Sequence, residues 1–184
     1  MGEVIYIPDE IKKVVTATSS RYAEAVPSSP VYYKFGHWIE IVQHLQQQTN
    51  AAIKKYPLIA LSTDITIERG RIGVYGLARI NVAIMVLSDM NYTSEQRLEK
   101  SFKAVLQPLK EIFLEELVNS KQFTSEGQLV FKETERYFLG KQGLYGNVAN
   151  EANEYLDAIE LSDLEIIVNN PICSTIKSNV WQTN

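Results

Sequence analysis

Leu77–Leu87 constrains this chain more than any other stretch. Ala78, Ile80, Val82, Ile84 and Val86 share one parity, and Arg79, Asn81, Ala83, Met85 and Leu87 share the other. Strict period two over eleven residues predicts a β-strand with one face in a core. The second face is polar at its start and apolar at its end. It therefore becomes buried toward Leu87. A strand of this kind needs partners, and the flanking sequence supplies them. Leu58–Glu68 is rich in β-branched residues and predicts a preceding strand. Between them lies Arg69–Gly76, with glycines at 70, 73 and 76, which predicts a hairpin loop.

After a turn at Ser88–Tyr92, Thr93 and Gln96 form a capping-box pattern that starts a helix. Leu98, Phe102, Val105, Leu109, Ile112, Phe113 and Leu117 follow at steps of mostly three and four, carrying the helix to about Asn119. The stripe stays in phase past Pro108, so the proline predicts a kink and not a stop. Lys34–Lys55 predicts an earlier helix with Trp38, Ile41, Val42, Leu45, Ala52 and Ile53 on one stripe, ended by Pro57. Residues 121–157 read as an irregular insert, with a short strand over Gln128–Glu133, a loop punctuated by Gly140, Gly143 and Gly146, and a helical turn over Asn150–Leu156. Leu156–Val168 reads as a last strand. Ile159 and Leu161 share one parity while Leu164, Ile166 and Val168 share the other, which predicts a β-bulge at Ser162-Asp163.

Residues 1–33 read as an N-terminal arm, with a short strand at Val4–Ile7, a short helix from Pro8 to near Ser19 and a stiff linker at Val26–Pro30. Residues 34–168 form a single domain, and 169–184 a C-terminal tail. The expected class is α+β: a small, mainly antiparallel sheet of a hairpin plus the C-terminal strand, two long helices on one face, and extended terminal arms. The other face of the sheet then has no helix. The arms carry Ile5, Tyr6, Ile7 and Trp181, which gain from burial. They are expected to cross onto neighbouring molecules.

Composition bears on function mainly by exclusion. The 184 residues carry a net charge of −4, so the chain has no global attraction for phosphates. Its one cysteine, Cys173, cannot form an intrachain disulfide, which suits a reducing compartment. No apolar run approaches the ~20 residues of a membrane span. The N-terminal residues match neither a signal peptide nor a myristoylation pattern, so no membrane association is expected.

Candidate chemistry is sparse. His37 and His44 lie two helical turns apart, about 10.5 Å, too far to share one metal. Cys173 has no histidine beside it in sequence to activate it. Glu115-Glu116, Glu133 with Glu135, and Asp163 with Glu165 read as solvated faces; a glycosidase needs its carboxyls across a cleft. The loop at Gly70–Gly76 lacks the Lys-Ser/Thr of a phosphate cradle. No catalytic centre, metal or cofactor is expected. The candidate interface residues are Arg69, Arg71 and Arg79, which suit carboxylates or phosphate, with Tyr32, Tyr33, Tyr75, Tyr145 and Trp181, aromatic residues of the kind enriched at protein interfaces.

The order helix, β-hairpin, long helix ending LQPLKEIFLEELVNSKQF (Leu106–Phe123), insert and last strand LDAIELSDLEIIV (Leu156–Val168) resembles the tail-terminator and tail-completion proteins of tailed bacteriophages. Tyr56-Pro57-Leu58-Ile59-Ala60-Leu61 entering the first strand is similar too. The resemblance covers about Lys34–Val168 and is one of layout, without an active-site motif. It implies a structural virion protein, assembled in the host cytoplasm. Six- or twelve-fold homomeric rings in the neck would join the portal side to the tail and help seal the DNA channel. Its partners would be copies of itself and other neck, portal or tail proteins, with only non-specific proximity to channel DNA. A non-viral interaction adaptor and a small α+β enzyme are the alternative readings.

Overall fold

The computed structural model describes residues 5–27, 30–47, 55–69, 75–124, 129–137, 139 and 155–169. Two long strands form its spine. β4 (Tyr75–Leu87) and β7 (Leu156–Asn169) run antiparallel over most of their lengths. On the far side of β4 lie β2 (Leu58–Ser62) and β3 (Thr66–Arg69), both antiparallel to it. These are the expected strand 58–68, interrupted at residues 63–65. Four residues, 62–65, lie opposite only Ile80 and Asn81, so the strand bends there. β5 (Phe123–Thr124) and β6 (Lys132–Arg136) pair with the other side of β7.

With β1 (Tyr32–Gly36), the described residues form an α+β fold on a mixed sheet of seven strands, ordered β1-β2-β4-β7-β5 with β3 beside β4 and β6 beside β7. The mixed character comes from β1, which is parallel to β2. The other five pairings are antiparallel, so the sheet is mainly antiparallel as expected, but β1 is a strand that the expected hairpin plus last strand lacked. It also corrects the start of the helix expected at Lys34: α2 begins at Trp38 and is described to Gln47. Tyr-Tyr-Lys-Phe is strand-favouring sequence, and the apolar spacing that begins at Trp38 masked the boundary. Residues 48–54 lie outside the described residues.

The bulge expected at Ser162-Asp163 is present. Ile80 pairs with Leu164 but Val82 pairs with Leu161. Asp163 takes φ 54°, and its N–H donates to Asn81 Oδ1 at 3.0 Å. The extra residue puts Leu161 and Leu164 in the same core despite their opposite parity. Aspartate tolerates this left-handed backbone far better than a β-branched residue does. Asp163→Val is therefore expected to cost about 1–3 kcal/mol and Asp163→Gly well under 1 kcal/mol in urea melts.

Two helical layers cover one face of the sheet. The capping box holds: Gln96 N–H donates to Thr93 Oγ1 and Thr93 N–H to Gln96 Oε1. α3 (Ser94–Arg97) passes into a π-type stretch (Leu98–Leu106) and then α4 (Gln107–Val118). Where a kink was expected at Pro108, the helix widens instead. Gln107 N–H reaches back five residues to Phe102 O. Phe102, Leu106, Leu109, Phe113 and Leu117 are buried against Ile80, Val82, Ile84, Ile159, Leu161 and Leu164. Leu98, Val105 and Ile112, expected in the stripe, pack at its margins.

The other helix on this face is α1 (Ile7–Ala25). Residues 7–25 therefore do not form an arm that leaves the domain. Ile7, Ile11, Val14, Val15 and Tyr22 are buried in the same core, and α1 packs along α4. Tyr33 Oη donates to Pro8 O at 2.9 Å, and Arg21 bridges to Glu115 and Glu116. The β-branched run Val14-Val15-Thr16 argues against a long helix locally. Burial of one stripe outweighs that preference. Residues 1–4 and 170–184, including Trp181, lie outside the described residues.

The opposite face is not bare, which corrects a second expectation. α2 lies there, with Ile41 in a smaller core of Leu58, Ala60, Met85, Leu139, Leu156 and Ala158. Burial of β4's second face reaches Met85, which is fully buried, whereas Leu87 is 53% exposed.

Candidate functional site

The region that most resembles a working surface is the polar end of this second sheet face. β4 places Arg79 and Asn81 there, and β7 supplies Glu160, Ser162 and Glu165 on the same side. Arg79 Nε donates to Glu165 Oε1 at 2.9 Å, and its Nη1 pairs with Glu68. Lys132 meets Asp163 at 2.8 Å, and Arg136 meets Glu160 at 3.0 Å. The Lys132 ammonium holds the Asp163 carboxyl below its ordinary range. Glu68 and then Glu165 raise Arg79 further. These charges form a ladder of neighbours across strands, a weak-field surface and not a one-signed patch.

Beside the ladder, under α2, is a shallow cleft of about 120 Å³. Trp38 and Ile41 form its wall, and Ala60, Asn81, Ala83 and Glu160 are among the floor residues. Trp38 is 39% exposed. Glu160 is the one carboxylate in the lining and it is already bonded to Arg136.

The candidate interface residues are scattered. Arg79 sits in the ladder. Arg69 ends β3 and Tyr75 begins β4, so the backbone brings them together at one end of the hairpin. Arg71, Tyr145 and Trp181 lie outside the described residues, as do Cys173 and the glycine-punctuated loop. Tyr32 and Tyr33 are neighbours on β1 but point to opposite faces. Tyr32 packs on the smaller core and Tyr33 on the larger. Burial raises the Tyr33 hydroxyl strongly. Each carboxylate pair noted in the sequence is engaged: Glu115 and Glu116 by Arg21, Glu133 by Lys110, Glu135 by Gln107, and Asp163 and Glu165 by Lys132 and Arg79. His37 accepts from Ile39 N–H through Nδ1. Among the described residues, no group of three His, Cys, Asp or Glu side chains could hold a metal, and no helix is long and apolar enough to cross a membrane.

His44 on α2 is half-buried. Burial, then Lys34 and Lys55, depress its pKa. A depressed histidine binds its proton more weakly in the folded than in the unfolded chain. Stability is therefore full above the unfolded value of about 6.5 and declines as pH falls below it. Urea midpoints at pH 7.5 and 5.5 should differ less in His44→Gln than in the wild type.

Sequence reasoning missed one feature. Arg97 and Asp157 form a fully buried ion pair, Nη1 to Oδ1 at 2.7 Å. Arg97 also donates to Ser88 Oγ at 2.9 Å and to Asp89 O at 2.6 Å, tying the turn after β4 to the start of β7. The signal was present: Asp157 shares parity with Ile159 and Leu161, so an acid had to lie in the core face and needed a cation.

No protein-family model matches the chain, and no curated protein matches it at a significant level.

Proposed function

We propose that this chain is a structural subunit of a homo-oligomeric ring in the head–tail neck of a tailed phage, without catalytic activity. There it joins the portal side to the tail and helps seal the DNA channel. The observation that carries the reading is the charge ladder. On the polar half of the second sheet face, beside the cleft under α2, three cations (Arg79, Lys132, Arg136) are ion-paired with four carboxylates (Glu68, Glu165, Asp163, Glu160), which leaves a slight negative excess. Such a wall attracts DNA weakly and lets it slide. It is equally suited to the polar rim of a contact between copies. The layout of strands and helices around Leu106–Phe123 supports the same reading. The partners are copies of this chain and neighbouring neck, portal or tail proteins.

Negative-stain images and native mass of the purified protein test this. Closed rings of six or twelve copies of the 20.9 kDa subunit are expected. A monomer that stays monomeric at high concentration, and is absent by mass spectrometry from virions of the phage that encodes it, would overturn the reading.

A further inference from the structure

The sheet has an open edge at β1, whose sequence is Tyr32-Tyr33-Lys34-Phe35-Gly36, and among the described residues β1 pairs only with β2. The Tyr32 N–H donates to Pro57 O at 2.9 Å. By the alternation of a ladder, Tyr32, Lys34 and Gly36 turn their backbone groups toward β2. Val31, Tyr33, Phe35 and His37 turn theirs outward. The two ends of this outward row are closed. Val31 N–H donates to Ser19 Oγ at 2.9 Å, and His37 N–H to Glu40 Oε2 at 3.2 Å. Among the described residues, the outward groups of Tyr33 and Phe35 have no strand partner and can take a further strand.

A second copy could approach this edge antiparallel about a two-fold axis. Centring the pair on Tyr33 recruits Val31, and centring it on Phe35 recruits His37; both amides are already bonded. Only the register centred on Lys34 uses Tyr33 and Phe35 alone. There Lys34 faces Lys34 in a non-hydrogen-bonded pair, where Cα atoms approach to about 4.5 Å and side chains come closest. Like charges directly opposite destabilise such a pair. Lys34 is half-buried on the side of the smaller core, and no ion pair among the described residues engages it. Lysine is a residue that edge strands use to refuse unwanted partners. The other five-residue edge, β6, is charged nearly throughout, and Lys132, Glu133 and Arg136 are already ion-paired inside the subunit. β1 is instead aromatic, with a single charged residue, Lys34, at its centre.

We propose that β1 is a strand-docking edge gated by Lys34. It takes an extended segment of a partner protein that sets an Asp or Glu opposite Lys34, and it turns away a second copy of itself. Main-chain bonds to Tyr33 and Phe35 supply the affinity and the opposed charge supplies the selectivity.

Hydrogen exchange over residues 31–36, read by mass spectrometry on the full chain, tests this with two probes, the capped peptides Thr-Tyr-Glu-Phe-Thr and Thr-Tyr-Lys-Phe-Thr. At millimolar peptide, the Glu form should slow exchange at least threefold in the wild type and the Lys form should not. Lys34→Glu should reverse the preference. Lys34→Val, without peptide, should gain protection that rises with protein concentration. Equal protection by both peptides, protection by neither, or concentration-dependent protection of this segment in the wild type alone would overturn the proposal. Ring formation is read separately by mass, so its failure leaves these outcomes intact.

Discussion

Phe102→Ala is expected to lower the stability of the subunit by about 3–5 kcal/mol, the usual cost of removing a large core aromatic and leaving its cavity. For a chain of this size that is a fall in Tm on the order of 10 °C, read by calorimetry or circular dichroism. Phe102 is fully buried and meets strands β4 and β7 from the π-type stretch. Its ring also stacks on Tyr137 with centroids 4.3 Å apart, joining the helix to the chain just after β6. Because Gln107 N–H bonds to Phe102 O, the residue sits where the wider turn closes ahead of Pro108. Collapse around the cavity is therefore restrained by Pro108 on one side and the sheet on the other. A Phe102→Ala protein with unchanged Tm would show that this stripe is not the core.

Asp157→Ala is expected to be about as damaging, about 3–5 kcal/mol, for a different reason. Removing one member of a buried pair leaves the other as an uncompensated charge. Arg97 would keep its bonds to Ser88 Oγ and Asp89 O but lose the Asp157 carboxylate. Replacing both residues by apolar ones of similar volume, Arg97→Met with Asp157→Leu, should recover most of the loss, because desolvation then has no charge to penalise. A double variant no more stable than Asp157→Ala would mean that the pair acts chiefly by holding the turn at residues 88–92. Hydrogen exchange at Ser88, whose N–H donates to Tyr155 O at 2.8 Å, would then be faster in both variants.

Much of the sheet was legible in the sequence. The alternation in Leu77–Leu87, the switch of parity at Ser162-Asp163 and the capping box at Thr93 are local patterns with local causes, and the structure contains all three. The parts misread are those that local preferences do not settle. The helix expected from Pro8 is present as α1; what was misread is its place, because Ile11, Val14, Val15 and Tyr22 bury one stripe in the core beside α4 where an outgoing arm was expected. Tyr32–Gly36 abuts the stripe of α2, and its pairing with Leu58–Ser62 joins residues 26 positions apart. The helical spacing of Ile7, Ile11, Val14, Val15 and Tyr22 does not say which surface will cover it, and the pairing of β1 leaves no periodic trace in its own segment. The candidate site was less legible still. Arg79 was found from charge alone, but its partners Glu68 and Glu165 lie 11 and 86 residues away.

The sequence by itself determined which residues could enter a core and where single strands bend or helices begin, because those features depend on side-chain parity and on neighbours within a few positions. Only the tertiary structure decided which helix covers which face, that the N-terminal segment folds back onto the domain, that Arg97 and Asp157 meet in the core, and that Lys34 stands at the centre of a strand that pairs, among the described residues, on one side only. Each of these depends on contacts between distant segments, where burial of shared apolar surface outweighs the preferences of any one of them.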